Sequence, residues 1–254
     1  VAQGLHVKAD RGNRRIVHQG LDALLDTDPD FFAQRYWSDG EVRVSGREYN
    51  GMLDSPCAAS EDFGCTSCHR MHESASHVDG VPWEQGQLRE GARAGETCGR
   101  CHGAIALEPA GHAKHPSEAA TCLDCHMPRT TYGLLGAIRS HTISSPSVET
   151  TLETGRPLAC NLCHVDEPLA WAAEALQRDF AQPIPQGVRR ACSAADVEDG
   201  APGCGSAAAQ WVLAGDAGQR AIAAWHLGRA PRPPAWARAV LEAVVRFETY
   251  PAVR

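Results

Sequence analysis

The sequence predicts a mainly α chain with extensive loops, in which an irregular first part is followed by a helical second part. Three observations predict this. A Cys-x-x-Cys-His pattern recurs four times between residues 65 and 164. The stretch 57–164 that carries it is broken by Gly, Pro and His and shows little sustained periodicity. After His164 the pattern changes to successive short runs with helical spacing and Ala-rich faces.

Taken in order, residues 1–56 precede the first motif. Residues 14–25 read as a helix with Val17, Leu21, Leu24 and Leu25 on one side, and His18 lies on that apolar side. Residues 38–56 are rich in Gly, Asp and Ser and read as loops. Beyond the last motif, Asp166 is a good N-cap and Glu167 and Pro168 suit a first turn, so a helix is expected to about Phe180. Residues 181–205 contain Pro, Gly and two cysteines and read as a loop. Helical stretches follow over 206–214, 216–228 and 234–247, the last with Val240, Leu241, Val244 and Val245 as one apolar stripe. Such a series suggests stacked helix pairs of solenoid type. The expected domains are therefore 1–165 and 166–254. The abrupt end after a helical pattern suggests a piece of a longer polypeptide.

The chain has 254 residues, 43% of them hydrophobic but only 6% aromatic, so a protein-only core would be poor in large rings. The formal net charge is −7 and there is no basic run, which argues against nucleic acid as a partner. No stretch of about 18 apolar residues exists, so no transmembrane segment is expected.

The cysteines decide the chemistry. Eight of the eleven form the four motifs: Cys65-x-x-Cys68-His69, Cys98-x-x-Cys101-His102, Cys122-x-x-Cys125-His126 and Cys160-x-x-Cys163-His164. Two thiols spaced by two residues can add to the two vinyl groups on one edge of a porphyrin, and the next residue then offers an imidazole to the iron. A zinc site would not require a His after every second Cys. Four covalently bound haems of c type are expected, with His69, His102, His126 and His164 as proximal ligands. Haem rings would also fill the place of the missing aromatics. Successive motifs begin 33, 24 and 38 residues apart, so neighbouring rings should touch or nearly touch. Covalent haem attachment occurs outside the bacterial cytoplasm, so the chain reads as a mature, exported product, periplasmic or extracellular, whose leader has gone. Of the other cysteines, Cys192 and Cys204 are twelve residues apart and suit a disulfide worth about 3 kcal/mol in the chain-entropy model. Cys57 is the odd one.

A family resemblance is carried by these same residues. Ser55-Pro56-Cys57 with Cys65-Thr-Ser-Cys68-His69-Arg-Met71-His72 resembles multihaem cytochromes related to the cytochrome c554 group. So do Cys122 to Gly133 with Arg139-Ser140-His141 downstream, and Ala159-Cys160-Asn161-Leu162-Cys163-His164 followed by Trp171. Gly215-Asp216-Ala217 to Leu227-Gly228, and Tyr250-Pro251-Ala252-Val253-Arg254, look like pieces of the HEAT-type helical region that commonly follows in that group. The resemblance covers about residues 47–254. It implies a multihaem cytochrome c core followed by a HEAT-like region, with mostly bis-His haems stacked in parallel and perpendicular pairs. It does not imply a substrate.

Four bis-His irons need four further ligands. His141 is the first choice, from its place in the family-like Arg-Ser-His stretch. His72 matches a Cys-His-x-x-His pattern but lies on the proximal side of its own haem, so it would serve a neighbour. His112 and His115 form an H-x-x-H pair of which at least one is expected to bind iron, with His115 preferred. His18 could close the first or last haem; His77 is a weaker candidate. His6 and His226 read as structural, and Met52, Met71 and Met127 as gap fillers more than ligands.

The leading functional expectation is electron transfer, as a carrier, a wire or a subunit of a larger redox assembly. Partners would be other redox proteins or cytochromes, with self-assembly among the options. The alternative is a multihaem oxidoreductase with one open iron that reduces a small nitrogen or sulfur oxyanion. That requires a general acid and basic anchors. Arg129, Tyr132 and Arg139 are the only candidates, and surface salt bridging suits them better.

Overall fold

The computed structural model describes residues 26–70, 87–116, 118–188, 204–251 and 253–254. Among them the chain is mainly helical. The expected helix over 14–25 lies outside the described residues. No described helix is long and apolar enough to cross a membrane.

The chain forms two compact units. The first comprises residues 1–47, 129–138 and 146–254, the second residues 48–128 and 139–145. The fourth Cys-x-x-Cys-His motif thus packs with the C-terminal helices, and the boundary expected at 165 does not coincide with a boundary between units. The physical reason is apolar: Leu158, Leu162 and Val165, which bracket that motif, are buried in one core with Trp211, Val212 and Ile222.

In the first unit, helix Leu169–Phe180 follows Pro168, which takes the N-cap position expected of Asp166. It buries Ala170, Ala172, Ala173 and Leu176 on one stripe. Helix Ala207–Ala214 starts at Ser206, whose side chain accepts from the Ala209 N–H. Helix Ala217–Leu227 starts at Asp216, which forms a capping box with Gln219. These two helices are joined through Gly215, where a Cβ would lie 2.3 Å from the Trp211 carbonyl oxygen. Only glycine permits so tight a connection. Helix Ala237–Phe247 completes the set. Its expected stripe is trimmed: Val244 is buried and Val240 and Leu241 pack partly, but Val245 is 56% exposed. Fully burying one Leu or Ile contributes about 1.5–3 kcal/mol, and Ile222 and Leu227 are both fully buried here.

A short antiparallel hairpin also belongs to this unit. Strand Thr131–Gly133 pairs with Gly136–Ile138, in the register Thr131↔Ile138 and Tyr132↔Ala137. The two-residue turn is Leu134–Leu135, with φ of 50° and 57°. Positive φ at both positions is what a type I′ turn requires, and Asn-Gly is the usual solution. Left-handed backbone costs a leucine about 1–2 kcal/mol, and both side chains are exposed. A buried ion pair, Arg156 with Glu41, lies near Asp39 in the same unit.

Among its described residues the second unit buries almost no apolar side chain. Its buried residues among those described are Gly51, Ser55, Ala92, Gly95, Pro128 and Ser140, none with a large apolar side chain. Within the expected loop region, residues Glu48–Asp54 form a helix and Pro56–Ala59 a 3-10 turn capped by Ser55. This corrects the reading of 38–56 as loop throughout: Tyr49, Met52 and Leu53 were too few to show a period.

Candidate functional site

Each Cys-x-x-Cys-His motif makes a single turn. Cys65–Cys68 is a one-turn helix, and His69 ends it by donating its backbone N–H to the Cys65 carbonyl at 2.8 Å. The same bond closes the second motif, His102 to Cys98 at 2.9 Å, and the fourth, His164 to Cys160 at 2.9 Å. The third motif is the helix Cys122–His126. One turn places residues i and i+3 on the same face, so both thiols of each motif emerge together. None of the eight motif cysteines is in a disulfide.

Three motifs lie in the second unit, and two of their histidines have partners. The His69 and His141 rings are nearly parallel, 15° apart, with centroids 6.2 Å apart. The His112 and His126 rings repeat this at 13° and 6.1 Å. A metal–imidazole bond is about 2 Å long and the ring centre lies roughly 1.1 Å beyond the nitrogen, so two imidazoles axial to one metal have centres about 6.2 Å apart. Both pairs have that separation.

Tautomers agree. The Nδ1 of His126 lies 3.0 Å from the Ser144 carbonyl oxygen, and that of His141 lies 3.2 Å from the Arg139 carbonyl. A carbonyl only accepts, so each Nδ1 carries the proton and Nε2 keeps its lone pair. Burial, with smaller contributions from neighbouring histidines, holds both imidazoles below the usual histidine range and therefore neutral. Neutral imidazole is the ligating form.

Local structure explains how His141 reaches its place. A Cβ on Gly51 would lie 3.1 Å from the Thr142 nitrogen and 3.3 Å from the His141 carbonyl carbon, so a glycine in helix Glu48–Asp54 lets that segment approach. Beside it the buried Thr142 hydroxyl has no hydrogen-bond partner among the described residues, a polar atom that a carboxylate acceptor would satisfy. The third motif is held by Asp124, which accepts from the Thr121 backbone N–H at 2.8 Å and from Arg139 at 2.7 Å. Arg139 also donates to the carbonyls of Leu123 and Met127. Of the three residues weighed as oxyanion anchors, Arg139 is thus engaged in fastening a motif. In the first unit, Arg129 lies over the Trp225 ring and Tyr132 is paired in the hairpin.

Two half-buried thiols, Cys98 and Cys68, are held protonated. Burial pushes Cys98 up to about 11, and the neighbouring Cys122 adds to it. Burial raises Cys68 too, against the opposing effect of Arg100. A raised thiol suits neither a zinc thiolate nor a nucleophile. No group of three or more His, Cys, Asp or Glu is gathered for a metal ion among the described residues.

The fourth motif is organised differently. Asn161 is fully buried and donates to the Glu167 carbonyl at 2.8 Å, and the His164 ring packs on Trp171 at 4.6 Å.

No family model matches the chain, and no curated protein or solved structure matches it significantly. Of the expected distal ligands, His141 lies beside the motif histidine His69 and His112 beside the motif histidine His126, whereas His115 was the preferred member of its pair. His115 turns its Nδ1 to the Ala113 carbonyl at 2.7 Å. His18 and His72 lie outside the described residues, as do His6, His77 and Met71. His226 directs Nε2 to the Arg129 carbonyl at 3.4 Å, in keeping with a structural role. Met52 places its sulfur 3.8 Å from that of Cys65. Cys204 is disulfide-bonded and buried, and its expected partner Cys192 lies outside the described residues.

Proposed function

We propose that this chain holds four covalently bound c-type haems and works in electron transfer, as a carrier, a wire or a subunit of a larger redox assembly. The observation that carries the reading is the pair of matched imidazoles, His69 with His141 and His112 with His126, each at axial-ligand separation and each including the histidine of a Cys-x-x-Cys-His turn. A second observation supports the fit: the described residues of the unit that carries three such motifs bury almost no apolar side chain, and large flat apolar groups would fill that place.

Bound haem would supply one-electron exchange at iron. The chain's part is to hold and insulate. Cys65, Cys68, Cys98, Cys101, Cys122, Cys125, Cys160 and Cys163 supply the thioether links. His69, His102, His126 and His164 would each supply one nitrogen ligand to iron, and His141 and His112 would supply a second ligand to two of the irons. An iron held by two imidazoles has no position for substrate, so the two matched pairs favour a carrier over an oxyanion reductase. The remaining ligands are proposed among His115, His18 and His72. The helical region is proposed to be HEAT-like, the protein to be exported to the periplasm or cell exterior, and its partners to be other redox proteins.

Intact mass tests the cofactor reading. Fully matured protein should carry four haems, and three or fewer, or bound zinc, would overturn it. Reoxidation of the reduced protein by nitrite, hydroxylamine, tetrathionate and peroxide tests the carrier reading. Exchange only with redox proteins or electrodes is expected, and rapid saturable turnover of any of these would contradict it.

A further inference from the structure

The geometry points to the hairpin 131–138 as a membrane-surface anchor that inserts Leu134 and Leu135 among the acyl chains of a bilayer bearing anionic headgroups.

The turn is the outlier that prompts it. Leu134 is 94% exposed and Leu135 is 82% exposed, side by side at the end of a two-stranded hairpin. Both have positive φ, a backbone that disfavours leucine and favours Asn or Gly. Neither the turn nor packing among the described residues accounts for two leucines there. An apolar pair held outward on strained backbone is accounted for by what it meets outside.

The surroundings say what that is. The Trp225 indole nitrogen lies 3.6 Å from the position of a Cβ on Gly136, the residue that follows Leu135. Two guanidinium groups stack on that same indole, Arg129 at 5.3 Å and Arg229 at 4.7 Å from the ring centre. An apolar tip backed by a tryptophan and two arginines is the order of chemistry met on crossing from acyl chains through the interface to phosphate headgroups. The arginines provide charge complementarity to anionic lipid on a chain whose net charge is −7. A protein partner fits less well, because two leucines offer far less than the roughly 800 Å² per partner of a standard interface.

The test uses the mature haem-loaded protein in flotation with vesicles of phosphatidylcholine alone and of phosphatidylcholine with phosphatidylglycerol. The key variant is L134N/L135G, which substitutes the residues a type I′ turn prefers and so keeps the hairpin folded. We expect binding to the anionic vesicles, weaker binding to the neutral ones, and loss of roughly tenfold in affinity in L134N/L135G with thermal stability unchanged or raised. Arg229→Gln should lose about fivefold on anionic vesicles only. Absence of wild-type binding to anionic vesicles, or equal binding by L134N/L135G, overturns the proposal. So does a saturable complex with a purified redox protein that L134N/L135G abolishes while vesicle binding is unaffected, since the tip would then be a protein contact.

Discussion

His141 owes its assignment to a distance and a tautomer together, and His112 to its distance from His126, whose tautomer is fixed. Imidazole pairs 6.1–6.2 Å apart could be loosely stacked rings. The Nδ1 contacts of His126 and His141 with backbone carbonyls leave Nε2 of each as the coordinating atom. Removing one imidazole should therefore open one iron. His141→Ala is expected to convert one haem to high spin, His112→Ala a different one, and the double variant two. Electronic and paramagnetic spectra unchanged from wild type would refute the assignment. The spacing of His69, His102, His126 and His164 to the thiols can be read from the sequence alone, and so can the context of His141, whose ring the structure sets beside that of His69. The choice of His112 over His115 cannot, since both lie in one H-x-x-H pattern and only the direction of each side chain separates them.

At the level of elements, the helices beyond residue 168 were readable because their starts carry explicit chemistry. Ser206 and Asp216 cap where the pattern places them. Ser206 does more than cap, because its hydroxyl also donates to the Val165 carbonyl at 2.5 Å and so links helix Ala207–Ala214 to the segment after the fourth motif. Ser206→Ala should cost about 1–2 kcal/mol, seen as a lower thermal midpoint; a change near zero would show that water replaces both bonds. Arg220 and Glu248 join helix Ala217–Leu227 to the end of Ala237–Phe247 through two bonds of 2.6 and 3.1 Å. The Arg220 hydrogen bond holds the Glu248 carboxyl below its usual range. A depressed carboxylate contributes stability that is complete above the unfolded value of about 4.3 and is lost as pH falls through the folded one. Wild type should therefore lose stability across that acid range more steeply than Glu248→Gln, and parallel curves would show that the pair contributes nothing. The hairpin 131–138 was invisible in the sequence, for Leu-Leu is not a turn signal, and its two strands are only three residues each.

For the molecule as a whole, the two units differ in what makes them fold. The first buries Trp37, Val148, Leu176, Trp211, Ile222 and Leu227 in a core of its own. The second offers Ala92 as its sole buried hydrophobic side chain among the described residues, Pro128 aside. Composition announced the shortage of large rings but not its location, because the fourth motif looks like the other three in sequence and is separated from them only by the apolar residues around it. In chain produced without haem attachment, backbone amides of helices Ala207–Ala214 and Ala217–Leu227 should stay protected from hydrogen exchange while residues 48–70 and 87–128 exchange at once. Equal protection in both would mean that the second unit needs no cofactor to fold.

Electron relay without substrate turnover requires every iron to be closed by two protein ligands, and this is the property to measure first. Low-temperature EPR of the fully oxidised, four-haem protein reads it directly. The account predicts low-spin ferric signals alone, integrating to four haems; a stoichiometric high-spin signal would mean an iron open to substrate and would contradict it.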